Sequence, residues 1–243
     1  ESSDQISIGS WVIGYWRPHL HFEINAWNCF ENKAGRLTKA LKAVPHSAEP
    51  RISADPLDVI KESADASVVV GDSAQVLRQL PDGVARVVLT DPPHGDRMPY
   101  LELSDMWNAV LGLESDYAQE LVVSNAVGRE RISEAYSTKL TEIMSECCRV
   151  LRQDGVLALM FNARSEEHWA TIGQFEESAG LSYIGCYSMK YSAGSVVQDN
   201  RKGALKDDFV LLFGKEGSTA GDVRRALGGI PSWSDELPGN GGR

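Results

Sequence analysis

The sequence predicts an α/β fold in which a mainly parallel sheet is covered by helices. Three observations carry that expectation. From residue 66 onward, short β-branched runs alternate with stretches whose apolar positions recur every three or four residues. This is the pattern of strands joined by crossover helices. The run Val84-Ala85-Arg86-Val87-Val88-Leu89 does not alternate apolar with polar, as expected of a strand buried on both faces. Finally, Tyr136, Leu140, Ile143, Met144, Cys147, Val150 and Leu151 form one stripe at helical spacing, which marks a long helix with a single apolar face.

The elements follow in order. Residues 8–16 read as a strand. Residues 23–43 read as an amphipathic helix on the spacing of Trp27, Phe30, Ala34, Leu37, Leu41 and Val44. A strand over 66–70 closes at Gly71-Asp72-Ser73, and a helix with Val76, Leu77 and Leu80 ends at Pro81-Asp82-Gly83. After the strand 84–89 comes a helix over 100–112, carrying Met106, Trp107, Val110 and Leu111, with Gly112 as its stop. Ser133 caps the long helix, and Asp154-Gly155 reads as the turn into a strand over 156–161. Ser165 starts a helix through Trp169, Ile172 and Phe175 that Gly180 closes. Strands over 182–191 and 208–213 complete the pattern. The expected partition is an N-terminal strand and helix segment, 1–65, packing on a catalytic domain, 66–215, followed by a flexible Gly/Ser/Pro-rich tail, 216–243.

Composition narrows the function. A hydrophobic content of 42% and a charged content of 24% are ordinary for a globular chain. The sequence has no apolar run long enough for a membrane span and no charged-then-apolar leader, so a cytoplasmic protein without membrane partners is expected. It does not begin with methionine and is read as a fragment or processed form. Cys29, Cys147, Cys148 and Cys186 show no CxxC spacing and are read as reduced thiols. Glu166-Glu167-His168 and His46 make no metal set, His168 being assigned to the solvent face of its helix, so no metal is expected. Trp27, Trp107 and Trp169 are assigned to the core. The net charge of -10 argues against a nucleic-acid binder. However, Arg97, Arg129, Arg131, Arg164, Lys190, Arg201, Lys202 and Lys206 fall in or beside loops on one sheet edge, and distribution outweighs the total.

The chemistry concentrates in Thr90-Asp91-Pro92-Pro93-His94-Gly95, directly after the apolar strand. Ligands in open α/β sheets bind at the carboxyl ends of strands. An arylamine nitrogen is a poor nucleophile because its lone pair is delocalised into the ring. Hydrogen bonds from that amino group to the Asp91 carboxylate and the Pro92 carbonyl would draw the nitrogen toward tetrahedral geometry and aim it at an electrophile. Two prolines stiffen the loop and remove competing donors. The bland alternative is a strand ended by a Pro-Pro turn with an Asp cap. His94 has the position of a stacking ring for an extruded base, or is a loop histidine touching nothing. In the first role, activity should fall as pH drops through the ordinary histidine range, ~6.5. Gly71-Asp72 admits two readings as well. Asp72 accepts a hydrogen bond from the amino group of a bound adenine, with Gly71 permitting a close turn, or it caps the helix beginning at Ser73. Tyr100, after Pro99, is a second candidate for base stacking. Glu102, Ser104 and Asp105 either help close the site or are surface polar positions.

Gly71-Asp72-Ser73, Thr90-Asp91-Pro92-Pro93-His94 and Pro99-Tyr100-Leu101-Glu102-Leu103-Ser104 together resemble the amino-methyltransferase family of DNA methylases. The likeness continues through Val122-Val123-Ser124-Asn125-Ala126, the segment from Arg149 to Gly155, and Gln198, Arg201, Gly203, Asp208 and Phe209. It implies a Rossmann-like fold and transfer of a methyl group from S-adenosylmethionine to N6 of adenine or N4 of cytosine in DNA, on a base flipped from the duplex. It also implies Asp91, Pro92, Pro93 and His94 as the catalytic loop, Gly71, Asp72 and Ser73 at the cofactor adenine, and Tyr100, Arg97 and Arg201 at the substrate. The chain departs from the family in two places. The family carries Tyr, Phe or Trp where this chain has His94, and no Gly-rich strand-to-helix turn for the cofactor's methionine part is found here. The expectation is therefore a carboxyl-terminal catalytic half lacking the first sheet strands, working with the upstream half of the same enzyme or a partner subunit. The same loop also resembles that of tRNA guanine-N2 methyltransferases, and a non-catalytic nucleic-acid-binding subunit is the alternative outside enzyme chemistry.

Overall fold

The computed structural model describes residues 25–43, 49–95, 98, 100–124, 126, 130–163, 165–190, 207–219 and 233–234. The chain divides into two units, Glu1–Glu49 and Pro50–Arg243. The described part of the first unit is helix α1 (Ala26–Ala43). It opens on Asn25, whose side-chain oxygen accepts the backbone N–H groups of Trp27 at 2.9 Å and Asn28 at 3.3 Å, a satisfied N-cap. Trp27 is exposed, not core as its spacing suggested. The strand expected over 8–16 lies outside the described residues.

The second unit begins with β1 (Ile52–Ser53), α2 (Pro56–Ile60) and β2 (Ala66–Ser67). β1 and β2 pair in parallel as a separate two-stranded sheet. Helix α3 (Ser73–Arg78) then leads to β3 (Ala85–Thr90), and α4 (Tyr100–Leu111) follows. Gly112 ends α4 with a φ of 68°, the left-handed conformation that glycine adopts without strain. Helix α5 (Ser133–Val150) runs into β4 (Leu151–Phe161). Ser133 is the first residue of α5, and the capping position belongs to Ile132, which makes no side-chain cap. β4 includes Asp154-Gly155, but the pair falls in an irregularity of the strand: Leu151 lies opposite Ala85 and Val156 opposite Val87, so residues 152–155 bulge out of register before the strand continues. Ser165 does cap the next helix, accepting the Glu167 N–H, but the helix breaks at Gln174 into α6 (Glu166–Gly173) and α7 (Phe175–Ala179). Strands β5 (Leu181–Lys190), β6 (Asp207–Lys215) and β7 (Trp233–Ser234) follow.

The main sheet has the order β3-β4-β6-β5-β7. Only β3 and β4 are parallel in it; β6 is antiparallel to β4 and to β5, and β7 is antiparallel to β5. The expectation of a mainly parallel sheet is corrected to a mixed one. The reason is local. The α6–α7 crossover carries the chain from β4 past a vacant place to β5, and β6 then returns into that place, which forces an antiparallel fit to both neighbours. Two residues of the expected flexible tail, Trp233 and Ser234, form β7 against Cys186 and Tyr187.

The core lies between α5 and the sheet. Leu140, Met144 and Cys147 of α5 pack with Leu157, Leu159 and Phe161 of β4, Phe175 of α7 and Phe213 of β6. This is the stripe that the helical spacing marked. Burial pushes the Cys147 thiol up to about 11 and raises Cys148 as well, so both stay protonated at neutral pH, and all four cysteines are free. Arg149 fastens α5 to the chain entering β3, donating to the Leu80 carbonyl at 2.9 Å and the Leu77 carbonyl at 2.7 Å. β3 is not buried on both faces: Val88 packs on the α5 core, while Val87 is 50% and Leu89 70% exposed. No helix among the described residues is long and apolar enough to cross a membrane.

Candidate active site

One cleft joins the two sequence segments singled out for chemistry. Gly71, Asp72 and Ser73 line it together with Thr90, Asp91, Pro92 and Pro93. Lys139, Leu140, Ile143 and Met144 of α5, with Gln119 and Leu121, complete the lining. The arrangement follows from topology. β3 ends at Thr90 and delivers Asp91 at its carboxyl edge, while the start of α3 brings Asp72 to the same face of α5.

Asp72 performs the capping role. One carboxylate oxygen accepts the backbone N–H groups of Ala74 at 2.8 Å and Gln75 at 3.2 Å. The other lies 2.7 Å from the Lys139 ammonium, which also pairs with Glu142 at 2.9 Å. The Lys139 hydrogen bond holds the Asp72 carboxyl below the usual carboxylate range, opposed in part by burial. Sequence reasoning missed Lys139, although it is a cation set three residues after Tyr136 and four before Ile143, on the edge of the apolar stripe.

Asp72→Ala is expected to destabilise the fold by about 1 kcal/mol, the usual worth of an N-cap, lowering the urea midpoint at unchanged m. Because folding depresses this carboxyl, its contribution is complete above the unfolded carboxylate range and is lost as pH falls through the depressed native value. The stability difference between wild type and Asp72→Ala should therefore shrink below about pH 4. A difference that does not shrink as pH falls below the unfolded carboxylate range would contradict the charged interaction.

Asp91 presents its carboxylate to the cleft with 60% of the side chain exposed, and one oxygen lies 3.1 Å from His94 Nε2. The His94 side chain is only 13% exposed, and its ring sits 5.3 Å from that of Phe161 at 60°. The imidazole thus touches the Asp91 carboxylate and the core instead of lining the cleft. Behind the loop, the Tyr136 hydroxyl donates to the Pro93 carbonyl at 2.6 Å. Burial pushes that phenol up to about 12, against a hydrogen bond from the Gly95 backbone.

The remaining predicted site residues divide. Tyr100 starts α4, is exposed and is not among the residues lining the cleft. Arg97 and Arg201 lie outside the described residues, as do Arg129, Arg164, Lys202 and Lys206 of the expected basic rim. Arg131 does not belong to that rim. Its guanidinium pairs with Glu102 at 3.2 Å and Glu120 at 2.8 Å, all three side chains being largely withdrawn from solvent. It also donates to the Tyr117 carbonyl at 2.9 Å. Glu120 in turn accepts the Leu101 N–H at 2.9 Å, so this cluster ties the first turn of α4 to the chain after it. Asp105 accepts from Ser115 and from the Tyr117 hydroxyl. Trp107 is exposed and Trp169 is partly buried against the core, so the assignment of tryptophans to the core holds for Trp169 alone. His168 is buried, not solvent-facing. No group of three His, Cys, Asp or Glu that would hold a metal occurs among the described residues.

No protein-family model matches the chain, and no curated protein does. Among solved structures, it is similar to a putative DNA modification methylase, TTHA0409 from Thermus thermophilus, at 18% identity over 61% of this chain and 53% of that one, with a TM-score of 0.36. PvuII DNA methyltransferase, cytosine-N4-specific, matches at 13% identity over 60% of this chain and 48% of its own, with a TM-score of 0.41. The structure of an M1.HpyAVI–SAM complex matches at 14% identity over 69% of this chain and 56% of its own, with a TM-score of 0.30. The chain spans about half the length of the first two of these structures.

Proposed function

We propose that this chain is the catalytic part of an S-adenosylmethionine-dependent methyltransferase acting on an exocyclic amino group of a DNA base, N6 of adenine or N4 of cytosine. The observation that carries the reading is the cleft between Gly71-Asp72-Ser73 and Asp91-Pro92, with the Asp91 carboxylate facing open space. In this reading the cofactor supplies an electrophilic methyl group. Asp91 and the Pro92 carbonyl accept the amino hydrogens and hold the nitrogen lone pair in line, a positioning effect combined with electrostatic stabilisation. Asp72, already bonded to two backbone N–H groups and to Lys139, shares its remaining acceptor capacity with the adenine amino group.

The described residues of the cleft fit the adenine end of the cofactor better than its methionine end, since no Gly-rich turn lines it. β3 has no strand on its outer edge among the described residues, and Val87 and Leu89 are exposed beside it. An open, apolar parallel edge of this kind is ordinarily covered. Both facts support a catalytic half that takes a further strand from an upstream segment or a partner subunit.

Calorimetric titration of the chain with S-adenosylmethionine tests the reading, with Asp72→Ala as control. Binding weakened by the substitution supports a cofactor site at Gly71–Ser73. Absence of binding, even with an upstream segment or partner supplied, would favour a non-catalytic nucleic-acid-binding subunit. Assay on DNA against tRNA separates the guanine-N2 alternative. His94 contacts the Asp91 carboxylate that the target amino group would use, so His94→Phe, which frees that oxygen, is expected to change the rate of methyl transfer; an unchanged rate would remove His94 from the mechanism.

A further inference from the structure

Lys139 lines the cleft beside Asp72, and its ammonium is held at two points. Nζ lies 2.7 Å from Asp72 Oδ2 and 2.9 Å from Glu142 Oε2. Glu142 is fixed in turn by Arg78 of α3, whose Nη2 lies 2.5 Å from its Oε1. The cation is therefore anchored with two of its three N–H donors engaged, and it has no further partner among the described residues. Asp72 keeps one acceptor position as well. Its Oδ1 takes the Ala74 and Gln75 N–H groups, while its Oδ2 takes Lys139, which leaves one lone pair on Oδ2. A free donor and a free acceptor thus stand side by side on the cleft.

Charge and shape decide what such a pair can read. Among the described residues that line the cleft, the charged ones are Asp72, Asp91 and Lys139. Two negative groups against one positive disfavour a phosphate or carboxylate at this point. A neutral ring with an amino group beside a ring nitrogen fits instead, since the amino N–H donates to Asp72 and the ring nitrogen accepts from Lys139. Adenine carries N6 and N1 side by side on its Watson–Crick edge, the edge by which proteins read an isolated base. Leu121, Leu140, Ile143 and Met144 supply apolar lining for the ring, and a few placed polar groups then set its orientation. Lys139 remains charged: burial opposes the charge, but the hydrogen bonds to Asp72 and Glu142 outweigh it and hold the ammonium above the ordinary lysine range.

We propose that Lys139 is a cofactor-binding residue that donates a hydrogen bond to N1 of the adenine ring, beside the Asp72 carboxylate that accepts from the N6 amino group. The inference rests on the function proposed above, which supplies adenine as the ring. The test is an NMR titration of the full chain with adenosine, 1-deazaadenosine and 7-deazaadenosine, following the methyl signals of Leu140, Ile143 and Met144. 1-Deazaadenosine has C–H in place of N1 and is expected to bind about ten-fold more weakly than adenosine, the scale of a hydrogen bond to a charged group. 7-Deazaadenosine, altered in the five-membered ring, should match adenosine. In Lys139→Met, adenosine and 1-deazaadenosine should bind alike, and in Asp72→Ala adenosine should bind more weakly than to wild type. A lysine that only braces α3 against α5 would instead weaken all three nucleosides in parallel when replaced. That parallel loss, equal wild-type binding of adenosine and 1-deazaadenosine, a preference that survives Lys139→Met, unchanged adenosine binding in Asp72→Ala, or no adenosine binding at all would overturn the proposal. The wild-type comparison keeps the test decisive should Lys139→Met fail to fold. S-adenosylmethionine, titrated alongside, separates the two readings. Adenosine bound with the N1 preference while S-adenosylmethionine stays unbound would defeat the proposed function and leave the adenine site standing. S-adenosylmethionine bound without any N1 preference among the nucleosides would defeat the role of Lys139 alone.

Discussion

Asp91→Ala is expected to lower methyl transfer by at least ~10²–10³-fold, the scale seen when a preorganised polar group is removed from a reacting centre. The urea midpoint should scarcely change. Asp91 sits at the end of β3 with most of its side chain in solvent, and its hydrogen bond to His94 joins two loop residues without spanning the core. An exposed interaction of that kind contributes little to stability. Asp91→Asn supplies the control, because the amide retains one acceptor oxygen for the target amino group and should keep part of the activity that alanine loses. Steady-state rates on DNA with each variant, alongside denaturation curves, check both halves of this expectation. Activity retained in a folded Asp91→Ala protein would sink the mechanism.

The second large effect is structural. Arg131→Met should destabilise the segment from α4 to the start of α5 by ~3–5 kcal/mol, the cost of leaving buried carboxylates without their counter-ion. Glu102 and Glu120 both depend on this guanidinium, and Arg131 further bonds the Tyr117 carbonyl. The loss should appear as faster amide exchange in α4 and in residues 113–124, and as easier proteolysis there, since stability is distributed in local units. Replacing Glu102 and Glu120 by Gln in the Arg131→Met background removes the stranded charges and should recover much of the loss. A change below ~1 kcal/mol in Arg131→Met would show that water reaches the cluster and that it behaves as a surface ion pair.

The difference between what was legible and what was not has a physical pattern. The stripe on α5 was legible because burial against a sheet demands one apolar face, and the helical period writes that face into the sequence. The meeting of Gly71–Ser73 with Asp91–Pro93 was expected from a shared sheet edge, but β2 and β3 belong to different sheets, and it is α5, through Lys139 and its apolar stripe, that lies against both segments. Exposure was misjudged wherever the partner of a face is not written locally. Val87, Leu89 and Trp107 have apolar character and correct spacing, yet the fold leaves them uncovered. Arg131 and His168 failed in the opposite sense. Charge and polarity suggested solvent, but Glu102 and Glu120 come to the first from elsewhere in the chain, and Gly95 and Ser133 to the second.

By itself the sequence determined the helices α3, α4 and α5, the strands β3, β4, β5 and β6, the apolar stripe of α5 and the stiff acidic loop after β3, because each depends on residues near one another along the chain. Only the tertiary structure decided that β6 enters antiparallel between β4 and β5, that Lys139 engages Asp72, that His94 turns its ring edge to Asp91, and that His168 lies beneath Gly95. Each of these is a contact between segments distant in sequence, or a choice among rotamers that local spacing leaves equivalent. Such choices are settled by packing and by the need to pair buried polar groups.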